Sequence, residues 1–329
     1  MGGFAECGAG TGVVVAPVEW SFEQERPLNG VTLGDCDDDG LPEAVVFNYA
    51  APARLYRNLG GFRFHDVTSG SGIETPNRAT NAAFGDLDGD GRLDLVMTEG
   101  LDAVVSGAPP PSVLEGAVRV FRGAGACRFT EVTSAWGFEP VRTAGLAFPS
   151  GVDLADVDAD GRLDVLVRML PERVSRTILY MSRPDGRWVD ATAEVLGPVP
   201  GSAWAALCTD TDGDMQPDLF LLLTGGDGGP PARFLRREGP AWPPRFREAI
   251  PVSSLFGPED DGQRKLMGGA SGDFDGDGAL DIFLTDIGAQ HLLRRVGDNA
   301  YEDVAFQAGV AASRLPAYFG RNEHENRTG

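Results

Sequence analysis

The 329-residue chain has few cations for its number of acids and few histidines. It has 28 Lys and Arg against 49 Asp and Glu, and three histidines. Its single lysine is Lys265. With a formal charge of −21, the chain lacks the clustered positive charge that binding to a phosphate backbone requires, so we predict no nucleic-acid partner. The same deficit argues against adsorption to anionic membranes.

Long apolar runs and informative cysteine spacings are also missing. The longest apolar runs, such as Leu219 to Leu223, are far shorter than the roughly 20 residues that cross a bilayer, so we predict no membrane insertion. No signal peptide is visible at the N-terminus. Four cysteines leave three disulfide pairings open and do not exclude thiols. They show no CxxC or zinc spacing and are Cys7, Cys36, Cys127 and Cys208.

What the chain does contain is a repeated acidic motif. Five segments follow the pattern D-x-D-x-D-G-x-x-D with small departures, and we call them acidic loops 1 to 5. Their first residues are Asp35, Asp86, Asp156, Asp210 and Asp273. The spacings of 51, 70, 54 and 63 residues indicate an internal repeat.

Short apolar segments surround each acidic loop. Small and apolar residues precede it, and a run such as Ala44 to Phe47 follows it, which predicts a β-hairpin. Two further stretches recur downstream, as in Leu55-Tyr-Arg-Asn and Phe62-Arg-Phe-His-Asp-Val-Thr. Each repeat therefore holds about four strands. We predict an all-β fold, a β-propeller of four-stranded blades with five recognisable repeats, incomplete at the termini.

In combination, these loops and strands resemble FG-GAP/VCBS repeats. The form is similar to that of the ASPIC/UnbV and cartilage-acidic-protein group and, more distantly, to integrin α-subunit propellers. The resemblance implies a calcium-loaded propeller outside the cell that mediates interactions. It covers five blades in residues 31–310, and residues 1–30 then hold a terminal strand of a preceding or closing blade. Residues 311–329 form a C-terminal extension or partial blade, and a terminal strand or a second chain completes the ring.

The acidic loops have the chemistry of calcium sites. Calcium takes six to eight oxygen ligands, and a tightly turning loop directs alternate carboxylates to one centre. Glycine at position 6 permits the turn, and an EF-hand is excluded because position 12 is an apolar strand residue. We predict up to five Ca²⁺ ions, bound by the carboxylates of positions 1, 3, 5 and 9 and the carbonyl of position 7. These residues are Asp35, Asp37, Asp39, Leu41, Glu43; Asp86, Asp88, Asp90, Arg92, Asp94; Asp156, Asp158, Asp160, Arg162, Asp164; Asp210, Asp212, Asp214, Gln216, Asp218; and Asp273, Asp275, Asp277, Ala279, Asp281.

Two loops depart from the pattern. Met215 replaces glycine at position 6 of loop 4, where a left-handed non-glycine residue costs roughly 1–2 kcal/mol. Glu43 replaces aspartate at position 9 of loop 1. We predict that these two sites are the weaker ones.

The acidic loops also account for the charge of the chain. Their predicted ligand positions contain 20 of the 49 acids, and the remaining 29 acids face 28 bases. Five bound Ca²⁺ ions would bring the formal charge from −21 to −11.

The sequence favours an interaction scaffold over an enzyme. We expect a protein or glycan ligand on the face opposite the calcium loops, because variable loops on a rigid scaffold carry recognition. The long segments assigned to that face are Glu99 to Gly116, Gly225 to Ala232, Arg237 to Arg245 and Pro258 to Gly262, and the candidate anchors are Asn48, Tyr49, Trp136 and Trp242. For Trp136, packing between blades is an equally good interpretation.

Two other functions stay open. One is a polysaccharide lyase or hydrolase on a propeller, for which His291 is the residue to test. The other is a purely structural propeller in a larger assembly. Because extracellular calcium modules bind at around 10⁻⁴–10⁻³ M, we expect an extracellular, periplasmic or cell-surface location.

Overall fold

The fold was obtained as a computed structural model. It describes residues 29–48, 51–74, 78–100, 113–138, 141–144, 148–170, 177–197, 203–223, 232–239, 242–250, 266–286, 289–297 and 300–311. Within these ranges the chain forms 21 strands and one short helix, α1 (Thr192–Val195). No helix there has the length and apolar character that crossing a membrane requires.

The strands form five antiparallel sheets, which we call blades 1 to 5 in chain order. Blade 1 contains β1 (Asn29–Gly34), β2 (Glu43–Asn48), β3 (Ala51–Asn58) and β4 (Phe64–Asp66). Blade 2 contains β5 (Arg78–Gly85), β6 (Asp94–Gly100), β7 (Val113–Gly123), β8 (Phe129–Glu131) and β9 (Val141–Ala144). Blade 3 contains β10 (Phe148–Ala155), β11 (Asp164–Leu170), β12 (Ile178–Ser182) and β13 (Trp188–Asp190). Blade 4 contains β14 (Ala203–Thr209), β15 (Asp218–Leu223), β16 (Ala232–Arg237) and β17 (Phe246–Ile250), and blade 5 contains β18 (Leu266–Gly272), β19 (Asp281–Asp286), β20 (His291–Gly297) and β21 (Ala300–Asp303).

The predicted all-β architecture of four-stranded propeller blades is confirmed. In every blade the first four strands follow chain order across the sheet, and each acidic loop joins the first strand to the second. The register places the acid of position 9 opposite the last residue of the preceding strand, as in the pairs Gly34–Glu43 and Gly85–Asp94. All five acidic loops therefore lie at equivalent ends of their hairpins.

Blade 2 corrects one sequence-based expectation. Residues 99–116 were predicted to be a long surface loop, but β7 begins at Val113 and its first residues pair with the additional strand β9. The pairing joins Val113–Gly116 to Val141–Ala144. Other parts of the predicted recognition face, including Pro109 to Pro111 and Pro258 to Gly262, lie outside the described residues.

The blades divide between two compact units. Unit 1 contains blades 1 to 3, and unit 2 contains nearly all of blade 4 and the whole of blade 5. In unit 1, apolar side chains form one core cluster around Leu55, Leu95 and Phe121 and another around Val120, Val165 and Trp188. In unit 2, a third cluster includes Phe220, Phe234 and Leu293.

Backbone hydrogen bonds connect successive blades of unit 1. The N–H of Phe129 donates to the carbonyl of Ser71 at 2.7 Å, and the N–H of Trp188 donates to that of Trp136, also at 2.7 Å. Gly137 beside the second contact has φ of 92°, and a Cβ there would lie 2.5 Å from the Trp188 carbonyl oxygen. The blades thus approach each other too closely for a side chain at this point.

Candidate metal centres

In each acidic loop, the aspartates at positions 1 and 5 of the motif accept hydrogen bonds from the backbone of the loop. The position 1 carboxylate accepts hydrogen bonds from the backbone N–H groups of positions 5 and 6. In loop 1, Asp35 accepts from Asp39 at 3.1 Å and from Gly40 at 2.8 Å. The position 5 carboxylate accepts from the N–H of position 7, as Asp39 does from Leu41 at 2.9 Å. The same contacts recur in the other four loops.

Two positions of every loop adopt left-handed backbone conformations. Position 6 has φ between 63° and 88° in all five loops, which confirms the interpretation of its glycines. Met215 takes this conformation with φ of 63°. Position 4 is also left-handed, which the sequence motif did not predict, because it is Asp38 in loop 1 and Ala159 in loop 3.

The acid of position 9 connects its loop to the third strand of the blade. In blade 2, one oxygen of Asp94 accepts from the N–H of Leu87 at 2.9 Å, and the other accepts from the N–H of Gly123 at 2.8 Å. Equivalent pairs of bonds are made by Glu43, Asp164, Asp218 and Asp281. All five acids are at most 1% exposed. Sequence reasoning assigned these acids only to metal and missed this second role.

The loops bring together the carboxylates predicted to bind metal. Candidate ligand oxygens lie within 4.8 Å of one another in Asp35/Asp37/Asp39, Asp86/Asp88/Asp90, Asp156/Asp158/Asp164 and Asp210/Asp212/Asp214. In loop 5, the N–H of Asp277 donates to Asp273 and Asp275, and the position 5 N–H makes the same two bonds in loops 2 and 4. Metal coordination by these residues, and by the position 7 carbonyls, remains a prediction.

The donor set of these loops fits a hard divalent cation. The donors are carboxylate oxygens, which calcium prefers. The Asp37 side chain is only 7% exposed, and its Oδ1 is buried without a hydrogen-bond partner. Because a buried carboxylate oxygen without a partner is costly, an ion at this point would supply the missing interaction.

Burial raises the pKa values of some loop acids, and nearby arginines lower the pKa of another. The pKa of Asp94 is raised to about 6 and that of Asp164 to about 7, chiefly by burial and in smaller part by the charges of neighbouring loop acids, against the lowering effect of backbone hydrogen bonds. For Asp90, the desolvation that raises its pKa is outweighed by hydrogen bonds from Arg92 and by the charges of Arg92 and Arg122, so its pKa is lowered. The metal-free loops therefore hold acids that favour protonation beside acids that stay ionised.

Arginines of the third strand contact the loop acids in three blades. Arg57 reaches Asp37 at 2.6 Å, and Arg122 reaches Asp88 at 2.6 Å. Arg236 reaches Asp212 at 3.1 Å. Sequence reasoning missed this role, although an arginine at the same place in Leu-Tyr-Arg-Asn, Val-Phe-Arg-Gly and Phe-Leu-Arg-Arg was a visible signal.

A disulfide joins loop 1 to blade 2. The structure resolves the open pairing in favour of Cys36 with Cys127, which are 91 residues apart in sequence. Cys36 occupies position 2 of loop 1, and Cys127 precedes β8. The Glu43 carboxylate lies beside this bridge, and burial raises its pKa. Cys208 is a thiol in β14, and Cys7 lies outside the described residues.

His291 has a structural partner. It is 4% exposed, and its Nδ1 lies 2.6 Å from Oδ2 of Asp303 on β21. In blades 1 and 2 the equivalent strand pairs are arginine with acid, namely Arg54 with Asp66 and Arg119 with Glu131. His291 thus replaces an arginine of the repeat, which supports a structural role.

The tryptophans differ in exposure. Trp136 stacks on the buried Trp188 with ring centroids 5.0 Å apart, so the packing interpretation holds for Trp136. Trp242 is 45% exposed, and the guanidinium of Arg183 lies 3.8 Å from its ring centroid. Tyr49 lies outside the described residues.

The chain was compared with curated proteins and with solved structures. No curated protein matches it. Among solved structures, the chain is similar to an Agrocybe aegerita lectin that recognises non-reducing terminal N-acetylglucosamine, at 15% identity and a TM-score of 0.49, over 87% of this chain and 69% of the lectin. It is also similar to a rhamnogalacturonan lyase of Bacillus licheniformis, at 13% identity and a TM-score of 0.42, over 80% of this chain and 56% of the lyase. Likenesses of this size carry no argument about function.

One segment of the sequence matches a family model. Residues 10–97 are similar to the FG-GAP-like repeat. This range includes acidic loops 1 and 2 and the strands β1, β2, β3, β4 and β5. The finer resemblance to the ASPIC/UnbV group and to integrin propellers remains a prediction. Acidic loops 1 and 2 therefore lie in the part of the chain that is similar to an FG-GAP-like repeat.

Proposed function

We propose that the protein is a calcium-binding propeller scaffold without catalytic activity that recognises a protein or glycan ligand. The observation that carries this proposal is the repetition of one carboxylate geometry at equivalent hairpin ends. Within one loop, three carboxylates have oxygens within 4.8 Å of one another. Their negative charges repel unless a cation compensates them. The residues that would hold the ions are those of positions 1, 3, 5, 7 and 9 named above.

Calorimetric titration of the chelator-treated protein with calcium tests the proposal. We expect uptake approaching five ions, a rise in the thermal unfolding midpoint with calcium, and a much smaller response to magnesium. The matched control is Asp88→Asn, which should remove about one equivalent of bound calcium and leave the other sites intact. A protein that takes up no calcium at millimolar concentration would refute the metal part of the proposal.

The disulfide supports an exported location. Disulfides persist in oxidising compartments and are rare in the cytosol. The Cys36–Cys127 bridge and the millimolar calcium outside cells point to the same environment. A glycan array and a protein pull-down, each with calcium and with chelator, would identify the ligand class and its dependence on the ion.

The alternative of a polysaccharide-active enzyme has less support. His291 pairs with Asp303 at a position where other blades carry an arginine–acid pair. No observation among the described residues assigns an acid–base pair outside the loops. Turnover of a polysaccharide that His291→Gln abolishes would favour the enzyme.

A further inference from the structure

One position of the third strand carries arginine in four of the five blades. In loop 2, the Nε of Arg122 lies 2.6 Å from Asp88, and its terminal nitrogen lies 2.9 Å from Asp90. In loop 1, Arg57 lies 2.6 Å from Asp37 and 3.4 Å from Asp39. A guanidinium therefore reaches the same two acids, at positions 3 and 5, in both blades.

These arginines occupy oxygens that a metal would also use. In loop 2, Oδ2 of Asp88 and Oδ2 of Asp90 face Arg122, while each Oδ1 accepts a backbone N–H of the loop. Each of the four oxygens of these two carboxylates therefore has a hydrogen-bond donor. A calcium ion at this loop would share these oxygens with a neighbouring positive charge.

Blades 3 and 5 differ at this position. In blade 3 the equivalent residue is the buried Met181, and an arginine from the loop itself, Arg162, contacts Asp160 instead. In blade 5, Arg294 is present but pairs with Glu302 at 2.8 Å. A cavity of about 530 Å³ is lined both by Asp275 and Asp277 of loop 5 and by Arg294 and Arg295 of the third strand.

We propose that the third-strand arginine is a built-in counter-ion that sets the calcium affinity of each loop. Arg57, Arg122 and Arg236 stabilise loops 1, 2 and 4 without metal and compete with calcium there. Loop 3, where Met181 stands in place of this arginine, and loop 5, where Arg294 pairs with Glu302, bind calcium more tightly and fill first. This inference rests on the proposed function, because it ranks the same five loops by their calcium affinity.

The double variant Arg57→Met/Arg122→Met tests the proposal. Methionine is the residue that blade 3 carries at the same place. We expect two of the calcium equivalents in a calorimetric titration to bind about threefold to tenfold more tightly, since the competing ion pairs and the repulsion of the incoming cation are gone. In chelator, the unfolding midpoint should fall, because the loop acids lose their counter-charge.

The matched control is Arg54→Met. Arg54 lies on β3 three residues before Arg57, but it pairs with Asp66 on β4 at 2.6 Å and not with a loop acid. Removal of this positive charge should leave every calcium affinity within about twofold of the wild type, because exposed ion pairs are weak. The control separates a specific effect of the loop contact from a change in net charge.

Loop 3 offers an internal reference. The indole N–H of Trp188 donates to the carbonyl of Leu163, at position 8 of this loop, at 3.1 Å. Trp136 stacks on Trp188 and can also sensitise terbium, so the part of the luminescence that Trp188→Phe removes should report loop 3. Its terbium affinity should not change in the double variant, because neither arginine touches loop 3.

The outcomes separate the inference from the proposed function. A wild-type protein that binds no calcium refutes the proposed function, whatever the variants do. A wild-type protein that binds calcium, with unchanged or weaker affinity in the double variant, overturns the inference alone. If the double variant does not fold, Arg122→Gln alone, with one tightened site expected, takes its place under the same criteria.

Discussion

The backbone N–H of Gly123 donates a hydrogen bond of 2.8 Å to Asp94, which lies 29 residues earlier in the chain. The other oxygen of Asp94 accepts from Leu87 inside the acidic loop. One buried carboxylate thus joins a loop to the third strand of its blade. Position 9 therefore has a structural role that does not depend on metal.

Asp94→Ala is expected to destabilise the protein with and without calcium. The substitution leaves two backbone donors without a partner, at a cost of about 3 kcal/mol or more. Thermal unfolding in chelator and in calcium measures the effect. The comparison variant is Asp88→Ala, which removes the same charge at position 3, and it should lower calcium uptake while changing the stability in chelator by less than about 1 kcal/mol. If both variants lost the same stability in chelator, this role of position 9 would be contradicted.

Met215→Gly is expected to stabilise the protein. Met215 has φ of 63° and a side chain that is 87% exposed, so it gains little from packing and carries the strain of a left-handed residue. Glycine relieves about 1–2 kcal/mol of strain and loses part of it to chain entropy, which leaves a net gain of about 0.5–1 kcal/mol.

Replacement of the next residue by glycine is the control. Gln216 has no positive φ, so Gln216→Gly should lower the unfolding midpoint. A Met215→Gly protein no more stable than the wild type would show that the left-handed conformation is not strained in solution.

The metal-free protein is expected to become less stable as the pH rises from about 4.5 to about 7.5. The pKa values of Asp94 and Asp164 are raised to about 6 and about 7 by burial, above their unfolded value near 3.9. The folded state therefore binds more protons than the unfolded state in this range, and ionisation costs stability.

Calcium should reverse this trend, because it binds the ionised carboxylates. Thermal midpoints at matched ionic strength, in chelator and in calcium, measure both effects. The acids whose pKa is lowered, such as Asp90 and Asp303, affect stability only below about pH 4 and do not interfere. A midpoint in chelator that rises through this range would count against the raised pKa values of Asp94 and Asp164.

Loss of the disulfide is expected to cost about 4–5 kcal/mol, since it closes a loop of 91 residues. Cys36→Ala/Cys127→Ala should lower the unfolding midpoint and make it insensitive to reductant. Cys208→Ser is the control and should keep the response of the wild type to reductant. Insensitivity of the wild-type midpoint to reductant would argue that the bridge contributes little.

The hairpins were predictable because their signals are local. The run Ala44 to Phe47 falls inside β2, and the glycines at position 6 have the positive φ that the motif requires. The recurring Phe-x-Asp-Val-Thr stretch is explained by Thr68, whose hydroxyl accepts from the N–H of Leu55 at 2.9 Å and joins the third and fourth strands.

Contacts between distant segments were not predictable from these patterns. The pairing of Cys36 with Cys127 depends on how two blades approach each other, which the repeat spacing does not specify. The ion pair of Arg122 with Asp88 spans 34 residues and depends on the direction of one side chain. The left-handed conformation of Ala159 was not predictable, because the residue is not a glycine.

The bridge between Cys36 and Cys127 also has a mechanical consequence. A pulling force applied along the chain would pass directly from loop 1 to the turn before β8, because the covalent bond bypasses the segment between them. That segment of 91 residues would otherwise extend by about 300 Å. Under tension, most of blade 1 and the first three strands of blade 2 would therefore be shielded from stretching, and their length would be released only after reduction.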